Sequence, residues 1–141
     1  MIVGAGRVLG GYLGGACVSG RLASAFPVVR VPAPTGWLNS NDRLHRQAEA
    51  KLVKAWREAA KTAAPERPAY TEPVRIWCEI WKPRANRYDP GNLYPTAKAC
   101  VDGFRDAGLL VDDDWRHVEG PHMIHGGLTT SPALVFRFEA L

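Results

Sequence analysis

Cysteine is scarce in this 141-residue chain and never paired by spacing: Cys17, Cys78 and Cys100 stand far apart, with no CxxC among them. An odd number placed this way argues against a disulfide framework or a structural zinc site, and points to reduced thiols in a cytoplasm. Long hydrophobic runs are missing too. None approaches the roughly 20 residues that span a bilayer, so no membrane partner is expected. Residues 1–25 are rich in Gly, Ala and Leu and carry Arg7 and Arg21, but Gly10, Gly11, Gly14 and Gly15 interrupt their apolar stretch. A signal peptide needs about 7–15 apolar residues unbroken. The segment reads instead as a loosely ordered arm ahead of one folded unit, residues 26–141. Its Gly4-Ala5-Gly6 and Gly10 imitate a dinucleotide-binding turn, yet only Ile2 and Val3 precede them and no acid follows at ribose distance. Without a strand before the turn and that acid after it, no such cofactor is expected, nor any other small organic one. No internal repeat is visible.

What is present is ordinary globular material. Hydrophobic residues make up 46% and charged residues 23%, a balance that buries a core and does not stay disordered. The length suits one domain. A net charge of +4 and a pI near 9.2 suit a polyanionic partner without demanding one.

Hydrophobic periodicity lays out the elements. Residues 26–31 are apolar and β-branched, a first strand ended by Pro32-Ala33-Pro34-Thr35-Gly36. Asn39, Asn41 and Asp42 offer N-caps to a helix whose apolar residues Leu44, Ala48, Leu52, Ala55, Trp56, Ala59 and Ala63 recur every three or four positions. Arg43, Arg46, Lys54, Arg57 and Lys61 fall on its other face, either as a solvated charged surface or as a stripe of cations for nucleic-acid phosphates. Residues 74–81 alternate with period two, putting Val74, Ile76, Cys78 and Ile80 on one face of a strand. A turn-like segment leads to a second helix over 92–107, with Leu93, Ala97, Val101 and Phe104 inward and Gly108 as its C-terminal cap. Strands are expected over 116–124 and 133–139, with a turn at Gly126-Gly127. The order β-α-β-α-β-β predicts an α+β fold, a small single domain with two main helices packed against a mixed β-sheet.

The acids are placed unevenly. Asp89, Asp102, Asp106, Asp112, Asp113, Asp114 and Glu119 crowd the stretch from 82 to 119. Consecutive aspartates repel one another unless a cation intervenes. Mg²⁺ takes oxygen ligands and is commonly held by one or two carboxylates and several waters, and in phosphodiester hydrolysis it activates water and neutralises charge. Arg84, Arg87, Lys98, Arg105 and Arg116 lie in the same stretch. Together these are the parts a metal-dependent nuclease needs, cations for the DNA backbone and acids for the metal. The plainer account makes 112–114 a polar turn, and makes Lys98 and Asp102, four apart, a surface ion pair. His117, His122 and His125 are a poor zinc set, because positions 122 and 125 of a strand face opposite ways. Trp56 reads as core, while Trp37, Trp77, Trp81 and Trp115 include candidates for stacking on DNA bases.

The series Arg87-Tyr88-Asp89-Pro90-Gly91-Asn92-Leu93, then Lys98-Ala99-Cys100-Val101-Asp102, then Ala107-Gly108 and Asp112-Asp113-Asp114, resembles the signature of the RusA-type Holliday-junction resolvases. Pro32-Ala33-Pro34 with Asn39, Asn41 and Arg43 is similar to that family's approach to its first helix. The likeness covers roughly residues 26–140. It implies a RusA-like α+β endonuclease domain and an Mg²⁺-dependent endodeoxyribonuclease, with Mn²⁺ as substitute. Such an enzyme acts as a homodimer that nicks four-way junctions symmetrically. Asp89 and Asp113, with Asp112 beside the latter, take the positions of the metal ligands. Lys98 takes that of the catalytic lysine, and Arg84, Arg87, Lys54, Arg57, Lys61 and Arg116 are the expected DNA contacts. Two departures stand out. Gly91 occupies the place of the family's second aspartate, leaving Asp102, Asp112 or Asp114 to compensate, or more waters on the metal. The spacing from Asn92 to Lys98 is also three residues longer than in the family, nearly one helical turn. A nuclease acting on flaps or forks, and a branched-DNA-binding protein that does not cut, remain the alternatives.

Overall fold

The computed structural model describes residues 27–141. The expected arm of residues 1–25, its glycine turn and Cys17 lie outside the described residues. Two helices and four strands follow in the order β1 (Val28–Pro32), α1 (Arg46–Ala63), β2 (Val74–Lys82), α2 (Tyr94–Asp106), β3 (Val118–Leu128) and β4 (Ala133–Ala140). The strands form one mixed sheet ordered β1-β4-β2-β3. β4 pairs antiparallel with both β1 and β2, whereas β3 runs parallel to β2. This is the α+β domain that the order of elements predicts.

The alternation in β2 explains which face is covered. Val74, Ile76, Cys78 and Ile80 are fully buried, and the buried Val29, Val31, Leu134, Phe136 and Phe138 join them from β1 and β4. Trp56 and Ala60 of α1 and Ala97, Val101 and Phe104 of α2 close the same core. Phe104 meets Phe136 and Phe138 edge-on, at ring separations of 5.0 and 5.5 Å, the arrangement that aromatic quadrupoles favour. The opposite face of the sheet keeps Arg75, Trp77, Glu79 and Trp81 half-exposed. Ion pairs run across it, Arg75 with Glu119 and Glu139, and Arg137 with Glu79.

The helices approach each other closely because α2 carries glycine at the crossing. A Cβ on Gly103 would lie 2.2 Å from the Arg57 carbonyl oxygen and 2.9 Å from Ala60 Cβ. At the end of α2, Arg57 turns onto Asp106 with a two-point ion pair, Nε to Oδ2 at 2.5 Å and Nη2 to Oδ1 at 2.9 Å. The Arg57 guanidinium, on the face read either as solvated surface or as a stripe of cations, thus fastens one helix to the other.

Three expectations about the elements are corrected. The N-cap of α1 is His45, whose Nδ1 accepts from Gln47 N at 3.2 Å. Asn39 instead accepts from the backbone of Asn41 at 2.8 Å, a local turn that occupies the side chain before the helix begins. Leu44 and Ala48 are exposed, and the apolar contact of α1 runs through Leu52, Val53, Trp56, Ala59, Ala60 and Ala63. The third correction concerns Gly126 and Gly127, which do not form a turn. β3 continues through them to Leu128, and the Trp81 ring lies over both, where a Cβ would come within 2.5 and 2.7 Å of it. The reversal falls later, over 129–132, where Ser131 N donates to Thr129 Oγ1 at 3.1 Å. No helix among the described residues is long and apolar enough to cross a membrane.

Gly103→Ala should destabilise the fold by about 1–3 kcal/mol, the usual cost of overpacking a tight contact. Urea unfolding would measure it, and a wild-type midpoint would show that the helices separate without cost.

Candidate active site

Thr96, in the first turn of α2, is fully buried yet satisfied. Its hydroxyl donates to Leu38 O at 2.7 Å and accepts from Leu38 N at 2.8 Å. The segment before α1 is thereby tied to the start of α2. Close by, Ser40 N donates to Asn92 O at 2.8 Å, so the Asn39–Asn41 and Asp89–Asn92 motifs meet although some 50 positions separate them. Pro90–Leu93 form a short 3-10 turn capped by Asp89, whose Oδ1 accepts from Gly91 N at 2.9 Å. That turn packs against β3.

α2 then sets Lys98 and Asp102 one turn apart and ends in a left-handed glycine. Gly108 has φ +83, Leu109 N donates to Phe104 O at 3.0 Å and Gly108 N to Arg105 O at 3.0 Å. This pair of bonds is a Schellman closure, and only glycine adopts its backbone without strain. The chain reverses, buries Leu109 and Leu110, and brings the aspartates back along the helix.

The outcome is a compact charge cluster. Lys98 Nζ donates to Asp102 Oδ1 at 2.7 Å and to Asp113 Oδ2. Arg105 Nη1 reaches Asp113 Oδ1 at 3.0 Å and stands 3.8 Å from Asp112 Oδ1. Asp112 also accepts from the backbone N of Asp113 at 2.7 Å. The Asp113 side chain is only 16% exposed, against 41% for Lys98, so the acid is the enclosed member. Hydrogen bonding from Lys98 holds the Asp113 carboxyl well below the ordinary carboxylate range. Partial burial would lower the Lys98 ammonium, but the bonds to Asp102 and Asp113 outweigh it and raise its pKa. Lys98 is thus a cation at neutral pH, a donor of charge and hydrogen bonds and not a base.

The acidic triplet divides its work. Asp114 turns away, accepting from Arg116 N at 3.2 Å and pairing with His117 Nδ1 at 2.5 Å; the His117 bond holds its carboxyl below the ordinary range. Of the expected residues, the structure brings Lys98, Asp112 and Asp113 together, and adds Asp102 and Arg105. Asp89 stays with its own turn. Arg84 and Arg87 are exposed in the loop after β2, Lys54 and Lys61 on α1, and Arg116 beside the cluster's loop. Arg105 was not singled out as a partner of Asp113, because the contact crosses the Gly108 reversal. The pairing of His117 with Asp114 had a local signal in their three-residue spacing. Tyr88, whose hydroxyl bonds His125 Nδ1 and whose ring lies 4.0 Å from Lys82 Nζ, had none.

No group of three or more His, Cys, Asp or Glu side chains among the described residues is arranged to hold a metal ion. The donor chemistry nonetheless fits a hard divalent cation, since Asp112 and Asp113 offer only carboxylate oxygens, and one or two carboxylates with waters suffice for Mg²⁺. The chain matches no protein-family model and no curated protein.

Asp113 contributes stability that is present above the ordinary carboxylate pKa of about 3.9 and lost as pH falls toward its depressed folded value. In EDTA, Asp113→Asn should therefore be less stable than the parent at pH 7, with the gap narrowing by pH 3. Urea midpoints at the two pH values test this, and a constant gap would refute the preferential ionisation of Asp113.

Proposed function

We propose that the protein is an Mg²⁺-dependent, structure-selective DNA endonuclease that cuts four-way junctions, acting in the cytoplasm as a homodimer. The observation that carries this reading is the Lys98 ammonium held between Asp102 and Asp113 on the flank of α2, with Asp112 and Arg105 alongside. It joins the Lys98–Asp102 segment of the resolvase-like series to the Asp112–Asp113 segment. A site for phosphodiester hydrolysis needs a fixed cation facing the charge that develops on phosphorus, and carboxylates that stay ionised.

Each residue then has a task. Lys98 donates to a non-bridging phosphate oxygen as negative charge grows, and its raised pKa keeps it protonated for this. Asp113 and Asp112 would hold the divalent cation. Mg²⁺, when bound, supplies a water of lowered pKa and neutralises phosphoryl charge. Arg105 holds Asp113 in position. Exposed Arg84, Arg87, Arg116, Lys54 and Lys61 contact the DNA backbone, which fixes position without reading sequence. A two-fold protein presents paired sites to a two-fold junction.

A second reading has its own support. Both Asp113 oxygens already face cationic side chains, and Gly91 supplies no carboxylate; a Cβ there would lie 3.3 Å from Asp89 Oδ1. A branched-DNA-binding protein that does not cut is the form this would take. Cleavage of an immobile four-way junction, with Mg²⁺ and with EDTA, separates the two. Paired symmetric nicks only with Mg²⁺, absent on linear duplex, are expected. Binding without cutting favours the second reading, and equal cutting of flaps, forks and junctions removes the junction preference.

Asp113→Asn should bind the junction but not cut it, and Lys98→Met should slow cutting by about 10²–10³-fold, as for loss of one oxyanion donor. Full activity in either variant would remove that residue from the site. Neutralising Lys54 and Lys61 together should reduce the salt dependence of binding by nearly two in log–log slope. An unchanged slope would make that helix face ordinary solvated surface.

A further inference from the structure

Of the tryptophans described, four have companions. Trp56 is fully buried and Trp37 stacks on it at 5.3 Å. Trp77 lies against His122 at 4.8 Å, and Trp81 covers Gly126 and Gly127. Trp115 differs. It is 83% exposed, the most exposed large apolar side chain among the described residues. The Arg116 guanidinium lies 5.5 Å from its ring centroid.

The exposure comes with a fixed backbone. The Asp114 carbonyl accepts from His117 N and Val118 N, both at 3.0 Å. Its side chain accepts from Arg116 N at 3.2 Å and pairs with His117 Nδ1 at 2.5 Å. These bonds close a tight turn around residue 115 immediately before β3, so the indole is held outward by its frame. It stands two residues from Asp113, which contacts Lys98 and Arg105.

We infer that Trp115 is a stacking platform for an unpaired or unstacked nucleobase lying next to the phosphate held at the Lys98–Asp113 cluster. The inference rests on the nuclease reading and deepens it by naming a base contact. Three features select a base as the occupant. An indole gives a flat surface that any base can cover, whatever its sequence. The exposed Arg116 next to it suits a phosphate beside that base. The Arg116 guanidinium lies 5.5 Å from the ring centroid and charged residues flank Trp115 along the chain, unlike the depleted charge at the centre of a protein–protein contact. Paired duplex hides its base faces, so the platform favours DNA at a branch point over linear DNA.

The test places 2-aminopurine at the branch point of an immobile four-way junction, and in a control at mid-arm. Fluorescence and affinity are followed without Mg²⁺ for the parent, Trp115→Ala and Trp115→Phe. The parent should change the branch-point signal and leave the mid-arm signal alone. Trp115→Ala should lose that change and bind the junction roughly 5- to 100-fold more weakly, the range for removing one stacked base. Its affinity for linear duplex should be unchanged, and Trp115→Phe should recover most of the loss. A branch-point signal and affinity unaltered by Trp115→Ala would overturn the inference while leaving the nuclease reading standing. An equal loss on duplex and junction would overturn it too, as would loss of self-association, since the indole would then be a general or a protein contact. A parent protein that binds no branched DNA would overturn the nuclease reading itself.

Discussion

With a Cβ at residue 103 only 2.2 Å from the Arg57 carbonyl oxygen, the two helices cross at a distance that glycine alone permits, and much of the remaining structure depends on that contact. It fixes the roll of α2. Phe104, the next residue, then faces the sheet and meets the rings of Phe136 and Phe138, while Lys98 and Asp102 fall on a flank that is neither sheet nor partner helix. The Arg57–Asp106 pair and the Thr96–Leu38 exchange hold the same helix at its two ends. The flank that carries Lys98 and Asp102 is thus set by packing on the other sides of α2, with the precision of a core and not of a loop.

The charge cluster has two readings in energetic terms, and they are compatible. As structure, it fastens the segment after Gly108 to the helix through ion pairs of middling exposure, each of modest worth in water. As chemistry, it keeps an ammonium and a carboxylate ionised side by side, which a phosphoryl site requires and a folded domain does not. The charge pattern around it is also uneven: acids gather near Lys98, whereas cations such as Arg84, Arg87 and Lys54 are spread over exposed ground.

Much of the fold was legible in the sequence. The strict alternation of β2 and the spacing of Leu93, Ala97, Val101 and Phe104 carried the core, and Gly108 marked the end of α2. These are signals that one element's own periodicity can transmit. The remaining features depend on partners, near or far along the chain, that one element's periodicity does not reveal. Gly126 and Gly127 resemble a turn until Trp81, from a neighbouring strand, is placed on them. Asn39 resembles an N-cap until its bond to Asn41 is seen. Arg57 lies on the polar side of a helical wheel, yet its partner Asp106 sits 49 residues later. Within the site, Lys98, Asp112 and Asp113 came from motif order, whereas Arg105 required the three-dimensional reversal, and Asp89 caps the turn before α2.

The Gly108 reversal also makes the short segment after α2 a measured length. Leu109 and Leu110 are both buried and Tyr70 N is bonded to Leu109 O at 3.0 Å, so the chain is pinned before it reaches the aspartates. Only a fixed number of residues from that pin delivers Asp113 to Lys98. Insertions and deletions should therefore be unevenly tolerated in this chain. The exposed loop after β2 can lengthen or shorten at little cost, since long loops add closure entropy slowly. Between 108 and 113, a single added residue would carry the carboxylate past its ammonium and undo the cluster while leaving every helix and strand intact.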